Sequence, residues 1–207
     1  MINGCDVSHF HGKQIDFNKM KAAGAQFVYI KATDFDVNNG VDDCFYQNMV
    51  KAKTAGLLFG VYHRWRPDSK YGVSEQIALF YSIVGDLFDL PPALEVNEGG
   101  NPRVLWTTRL YAMLNTAEKY FQRRPIIFTS LSIWKTHANN YDWPPKYPLW
   151  ITHYKVDTPK IPLPWEKWTI WQYSNKGNGE QYGINKYESQ TVNLDYFNGT
   201  LAELKAL

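Results

Sequence analysis

The chain has 207 residues, 44% hydrophobic and 20% charged, enough for one domain with a sizeable core, and α/β barrels often run to this length undivided. Its net charge is +2 and its 22 basic residues are scattered without a Lys/Arg run, which argues against nucleic acid as a partner. No stretch approaches the length of a membrane span, residues 1–10 have neither the basic nor the apolar region of an export signal, and Cys5 and Cys44 are too few for a disulfide scaffold.

In chain order, Met1 to Gly12 reads as a first strand that places Asp6 at its end, followed by a polar, aromatic loop. Asp16 is a plausible cap and Gly24 a plausible stop for a short helix over about 17–23. Gln26 to Lys31 is a second buried strand, and Asp43 to Ala55 a helix closed by Gly56. Leu57 to Tyr62 is a third strand, and Ser74 to Leu87 another helix. Pro91 and Pro92 cannot donate to a sheet ladder, so they mark the entry to a strand in which Ala93, Leu94 and Val96 are apolar and which Gly99-Gly100 ends. Alternation along that strand places Glu95 and Asn97 on one face and turns Glu98 to the other unless a bulge intervenes. Charge inside so apolar a run points to the floor of a site. Leu105 to Phe121 is the longest helix, followed by strands at Pro125 to Thr129, Leu149 to Tyr154, Trp168 to Tyr173 and Val192 to Tyr196.

Eight strands with helices between the early ones and mostly loops late describe an α/β fold, a single irregular TIM-like (β/α) barrel spanning residues 1–207 with no linker to a second domain. In such a barrel functional groups gather at the C-terminal ends of the strands, so Asp6, Lys31, Tyr62, Glu95, Asn97, Trp150 and Gln172 are expected in one mouth. Aromatic residues make up 16% of the chain, with 8 Trp and 14 Tyr, and those near turns suit stacking on sugar rings. The five histidines lack metal-ligand spacing and the glycines form no phosphate loop, so neither a metal nor another cofactor is expected.

Seven pieces carry a resemblance: Gly4-Cys5-Asp6-Val7-Ser8, Ile30-Lys31-Ala32-Thr33, Ala55-Gly56-Leu57 with Gly60-Val61-Tyr62-His63, Pro91-Pro92-Ala93-Leu94-Glu95, Pro125-Ile126-Ile127-Phe128-Thr129-Ser130, Leu149-Trp150-Ile151 and Ile170-Trp171-Gln172-Tyr173-Ser174. In this order and spacing they resemble the glycoside hydrolase family 25 lysozymes, known from phage endolysins and bacterial autolysins. The resemblance implies cleavage of the β-1,4 bond between N-acetylmuramic acid and N-acetylglucosamine in bacterial peptidoglycan. Against the family's Asp-x-Glu the chain has Glu95-Val96-Asn97, so an amide stands at the usual proton-donor position. Against Val-Asp-Leu-Asn it has Val192-Asn193-Leu194-Asp195; Asp34 replaces a Glu, Phe128 replaces a Tyr, and Asp6 keeps its family identity.

Glycoside hydrolysis needs one group to protonate the leaving oxygen and another to stabilise or attack the anomeric centre. Glu95 is the expected acid with Asp6 as its electrostatic partner and Glu98 as the substitute acid, while the substrate's 2-acetamido group can serve as nucleophile. Tyr62, Asn97, Trp150, Trp171, Gln172, Tyr173, Asn193 and Lys31 are the expected substrate-binding residues. The alternative is a muropeptide-binding module that keeps the aromatic rings and uses Asn97 and Asn193 as neutral hydrogen-bonding groups. Bacterial peptidoglycan is the expected partner, neither nucleic acid nor membrane, and a monomer is expected. With no export signal read at its start, the protein is expected to be phage-encoded or released to the cell wall.

Overall fold

A computed structural model describes residues 1–207 except 36–37, 97–102 and 139–140. Its eight strands are β1 (Ile2–Val7), β2 (Phe27–Asp34), β3 (Leu58–Trp65), β4 (Ala93–Val96), β5 (Ile126–Ser130), β6 (Leu149–Thr152), β7 (Ile170–Asn178) and β8 (Thr191–Phe197). They close into a barrel in sequence order, parallel from β1 to β7, with β8 antiparallel to both of its neighbours. The helices are α1 (Phe17–Ala22), α2 (Phe45–Thr54), α3 (Val73–Val84), α4 (Arg103–Phe121), α5 (Leu131–His137) and α6 (Leu201–Lys205). None among the described residues is long and apolar enough to cross a membrane.

The period-two alternation of the strands divides the core in two. Phe27 and Tyr29 of β2 point into the barrel with Tyr62, Ala93, Ile126, Phe128, Trp150, Ile170 and Phe197. Val28 and Ile30, one residue out of phase, join the layer beneath the helices with Phe45, Phe80 and Leu110. Two glycines admit the inner rings of β2: a Cβ at Gly4 would collide with the Phe27 ring, and one at Gly60 with the Tyr29 ring.

Local chemistry sets the helix starts. Asp16 accepts from the backbone N–H of Asn18 and Lys19 to cap α1, and Ser130 accepts from Ile133 N at 3.3 Å to turn β5 directly into α5. The expected elements are present with shifted ends. β2 and β3 run three residues past their expected limits because the β2–β3 register slips between Lys31 and Thr33. That irregularity leaves Lys31 paired with Tyr62, and Asp34 then meets Arg64. α3 stops at Val84, before Gly85 with its φ of 50°.

Candidate active site

At the C-terminal ends of the parallel strands lies a cleft of about 340 Å³, into which Asp6, Lys31, Tyr62, Arg64, Glu95 and Gln172 project together with Asn193 from β8. Because β8 is antiparallel, it contributes through its first half: Asn193 pairs with Asp6 in register and Asp195 with Gly4, one step deeper in the barrel.

Asp6 is the most constrained of these groups. Its side chain is buried, Gln172 Nε2 donates to Oδ2 at 2.5 Å, and Asn193 Nδ2 donates to Oδ1 at 3.0 Å. The Gln172 amide is itself oriented, since its Oε1 accepts from Thr152 Oγ1 at 3.3 Å and from the Tyr154 hydroxyl, leaving its N–H to face Asp6. Burial pushes the Asp6 carboxyl up to about 6, against the two amide hydrogen bonds; the negative charge of Glu95 adds to the rise, and a hydrogen bond from Asp195 opposes it. Burial, followed by the charge of Asp6, raises Asp195 well above the usual carboxylate range. Burial and then the charges of Asp6 and Glu95 likewise raise the Tyr62 phenol, which stays neutral.

A ladder of alternating charge runs along the other wall. Arg66 grips Asp34 through Nε and Nη2 at 2.9 and 3.1 Å. Lys31 Nζ lies 3.9 Å from Asp34 and 3.5 Å from Asp42, while Arg64 reaches Asp34 at 3.9 Å and Glu95 at 4.0 Å. The backbone N–H of His9 meets Asp42 at 3.0 Å. Lys31 is thus neutralised within the protein although it lines the cleft. His11, pushed down to about 4 by burial, is neutral and accepts from Ser8 N at Nδ1.

Six expected residues therefore share one cleft: Asp6, Lys31, Tyr62, Glu95, Gln172 and Asn193. Asn97 and Glu98 lie outside the described residues. Three aromatic expectations are corrected. Trp150 is wholly buried below the cleft, stacked on Phe128 at 3.9 Å. Trp171 and Tyr173 face the opposite way from Gln172 into the outer layer, where the Trp171 indole donates to His153 O at 2.8 Å and Tyr173 stacks on Tyr196 at 4.1 Å. Strand alternation would have separated Gln172 from both neighbours.

Sequence reasoning missed Phe10, Arg64, Tyr154 and Asp195. Phe10 is 65% exposed and lines the cleft, with Lys31 Nζ 5.3 Å from its ring centre. Its signal was the aromatic loop after Asp6. For Asp195 it was the two-residue spacing from Asn193, which puts both on the inner face of β8.

The family model of the glycosyl hydrolases family 25 matches residues 5–182. Over 218 residues the chain is 33% identical to Lysozyme M1 of Streptomyces globisporus, covering 100% of this chain and 71% of that protein. It is 26% identical over 220 residues to the N,O-diacetylmuramidase of Chalaropsis sp, covering 100% and 98%. The crystal structure of the bacterial lysozyme from Streptomyces coelicolor superposes with a TM-score of 0.86 at 30% identity, covering 100% of this chain and 96% of that one.

Proposed function

The chain belongs to the glycosyl hydrolases family 25, and from that premise we infer that it is a lysozyme-type peptidoglycan hydrolase cleaving the β-1,4 bond between N-acetylmuramic acid and N-acetylglucosamine. The observation that carries the site assignment is the meeting of Asp6 and Glu95 in one cleft with groups that orient Asp6. Residues 1–207 act as one catalytic barrel, a reading supported by the single closed sheet that all eight strands form. The protein works as a monomer on the bacterial cell wall, with neither nucleic acid nor membrane as a partner.

Glu95 protonates the leaving oxygen while the C1–O bond breaks, and the carbonyl oxygen of the substrate's 2-acetamido group attacks C1 to form an oxazolinium. Asp6 stands as a fixed anion against the positive charge that develops, already oriented by Gln172 and Asn193. Water then opens the oxazolinium, giving its proton to the Glu95 carboxylate, which restores the starting state with retention at C1. Tyr62, expected in the cleft from the sequence, and Phe10 supply the sugar-facing surfaces. The hydrolytic reading stands over the binding module because the similar proteins are named as lysozyme and muramidase.

The test is chemical. Digestion of purified peptidoglycan followed by borohydride reduction should yield muramitol, the mark of a muramidase. Glucosaminitol would identify the other glycosidic bond, and no new reducing ends would remove the hydrolytic reading.

Phe10→Ala should raise KM on soluble wall fragments by about fivefold with little change in kcat, since losing one ring face costs roughly 1 kcal/mol. Steady-state kinetics decide it; an unchanged KM would take Phe10 out of the binding surface.

A further inference from the structure

We propose that Asp195 is a positioning residue that keeps its own proton and donates it in a hydrogen bond to Asp6, so that Asp6 meets the substrate as an anion. The consequence for turnover rests on the role assigned to Asp6 above. The physical core, one proton held between two buried carboxyls, does not.

The two side chains lie on the inner face of adjacent antiparallel strands as a diagonal pair, two residues out of register. Asp195 has no exposed surface, and Asp6 is only 2% exposed. Trp150 Nε1 donates to Asp195 Oδ1 at 2.9 Å, and an indole N–H can only donate. Asp195 Oδ2 meets no N–H or hydroxyl donor among the described residues, and its side-chain hydrogen bond is with the Asp6 carboxyl. Two ionised carboxylates side by side in a site shut off from solvent repel strongly, so one of them holds a proton.

The distribution of donors decides which. Asp6 accepts from two amides, which favour its charged form, whereas Asp195 has the single indole donor. Among the described residues the other titratable groups acting on the pair are Tyr29 of β2, Tyr62 of β3, Glu95 of β4 and Tyr154 after β6, with Cys5 of β1 on the opposite face of its strand. Burial raises the thiol and the three phenols, so all four stay neutral, and Glu95 adds negative charge whenever it is ionised. Lys31 and Arg64, cations of the same cleft, are engaged by Asp34, Asp42 and Glu95. Loss of a proton from Asp195 would therefore place a second negative charge beside Asp6, where the described cations of the cleft, Lys31 and Arg64, are already engaged. The ordering agrees with Asp6 titrating at about 6 and Asp195 well above its ordinary value.

The sign of the effect on Asp6 follows. A donor to the charged form lowers the pH at which Asp6 ionises. Removing the Asp195 donor should move the acid limb of kcat/KM, expected near the Asp6 value of about 6, to higher pH. Asn at 195 retains the roles of a protonated carboxyl: its amide N–H faces Asp6 and its carbonyl accepts from Trp150.

The experiment compares wild type, Asp195→Asn and Asp195→Ala. Asp195→Asn should keep kcat within about threefold and leave the acid limb in place, whereas Asp195→Ala should lose about tenfold or more at the limb with KM unchanged, as for a lost hydrogen bond to a charged group. Infrared difference spectra at neutral pH should show a protonated-carboxyl band in wild type that is absent in folded Asp195→Asn, a readout that needs neither turnover nor a folded alanine variant. Absence of that band in wild type overturns the proposal. So does an Asp195→Asn variant that folds but is as impaired as Asp195→Ala. If wild type cleaves no peptidoglycan, the proposed function falls and the infrared band alone decides on Asp195.

Discussion

Glu95→Gln is expected to lower kcat on peptidoglycan by about 10²–10⁴-fold, the range removed with a general acid, while KM changes little. Glutamine fills the same volume and can still accept a hydrogen bond, but it has no proton to give to the leaving oxygen. The substitution should spare the fold. Glu95 and Arg64 are 23% and 30% exposed and 4.0 Å apart, a separation and exposure at which an ion pair is worth at most about 1 kcal/mol. Arg64 keeps its contact with Asp34 on the other side. A cleared wall suspension and a thermal melt on the same preparation separate the two effects. If Glu95→Gln melts like wild type and still clears the wall, Glu95 is not the acid, and Glu98 takes its place as candidate.

The barrel was legible because its strands carry their own punctuation. Pro91-Pro92 opens β4, Gly24 and Gly56 end the stretches before β2 and β3, and the run from Phe27 to Lys31 alternates between inner ring or ammonium and outer aliphatic residues. That Asp6, Glu95, Gln172 and Lys31 share one cleft was legible for a related reason: a charged or amide side chain at the end of an apolar strand is a local signal. The misses depended on information no single strand holds. Trp150 lies near a strand end, which places it among the expected substrate-binding residues, but in a barrel this narrow the Phe128 ring lies across it and the cleft begins above them. β8 returns antiparallel to β7 through residues 179–190 without an intervening helix, so the inner carboxyl of that strand is Asp195, below the rim, and the rim residue is Asn193. Read from sequence, Asn193 marked a lost carboxylate. In the folded chain the acid is two residues on, buried against Asp6.

Asn97→Glu, in a Glu95→Gln background, is expected to restore wall cleavage by up to the same roughly 10²–10⁴-fold that loss of the acid removes. Asn97 lies outside the described residues, so the expectation rests on sequence: it directly follows Val96, the last residue of β4, and stands where the family pattern has its proton donor. A glutamate there supplies the ionisable group that the amide lacks, while Asp6 and its amide donors are untouched. The single Asn97→Glu variant then distinguishes two states of the natural enzyme. With Glu95 already delivering the proton, a second acid adds little and kcat rises less than about tenfold, because the chemical step gains no new kind of assistance. With Glu95 poorly placed, the rise approaches the full range. Release of reducing ends from peptidoglycan measures both variants. A double variant as inactive as Glu95→Gln, with an unchanged melting temperature, would mean that position 97 cannot reach the leaving oxygen and that proton delivery in this chain does not follow the family's Asp-x-Glu pattern. If the single variant instead loses an existing activity, the Asn97 amide has a part of its own, orienting the acetamido group that attacks C1.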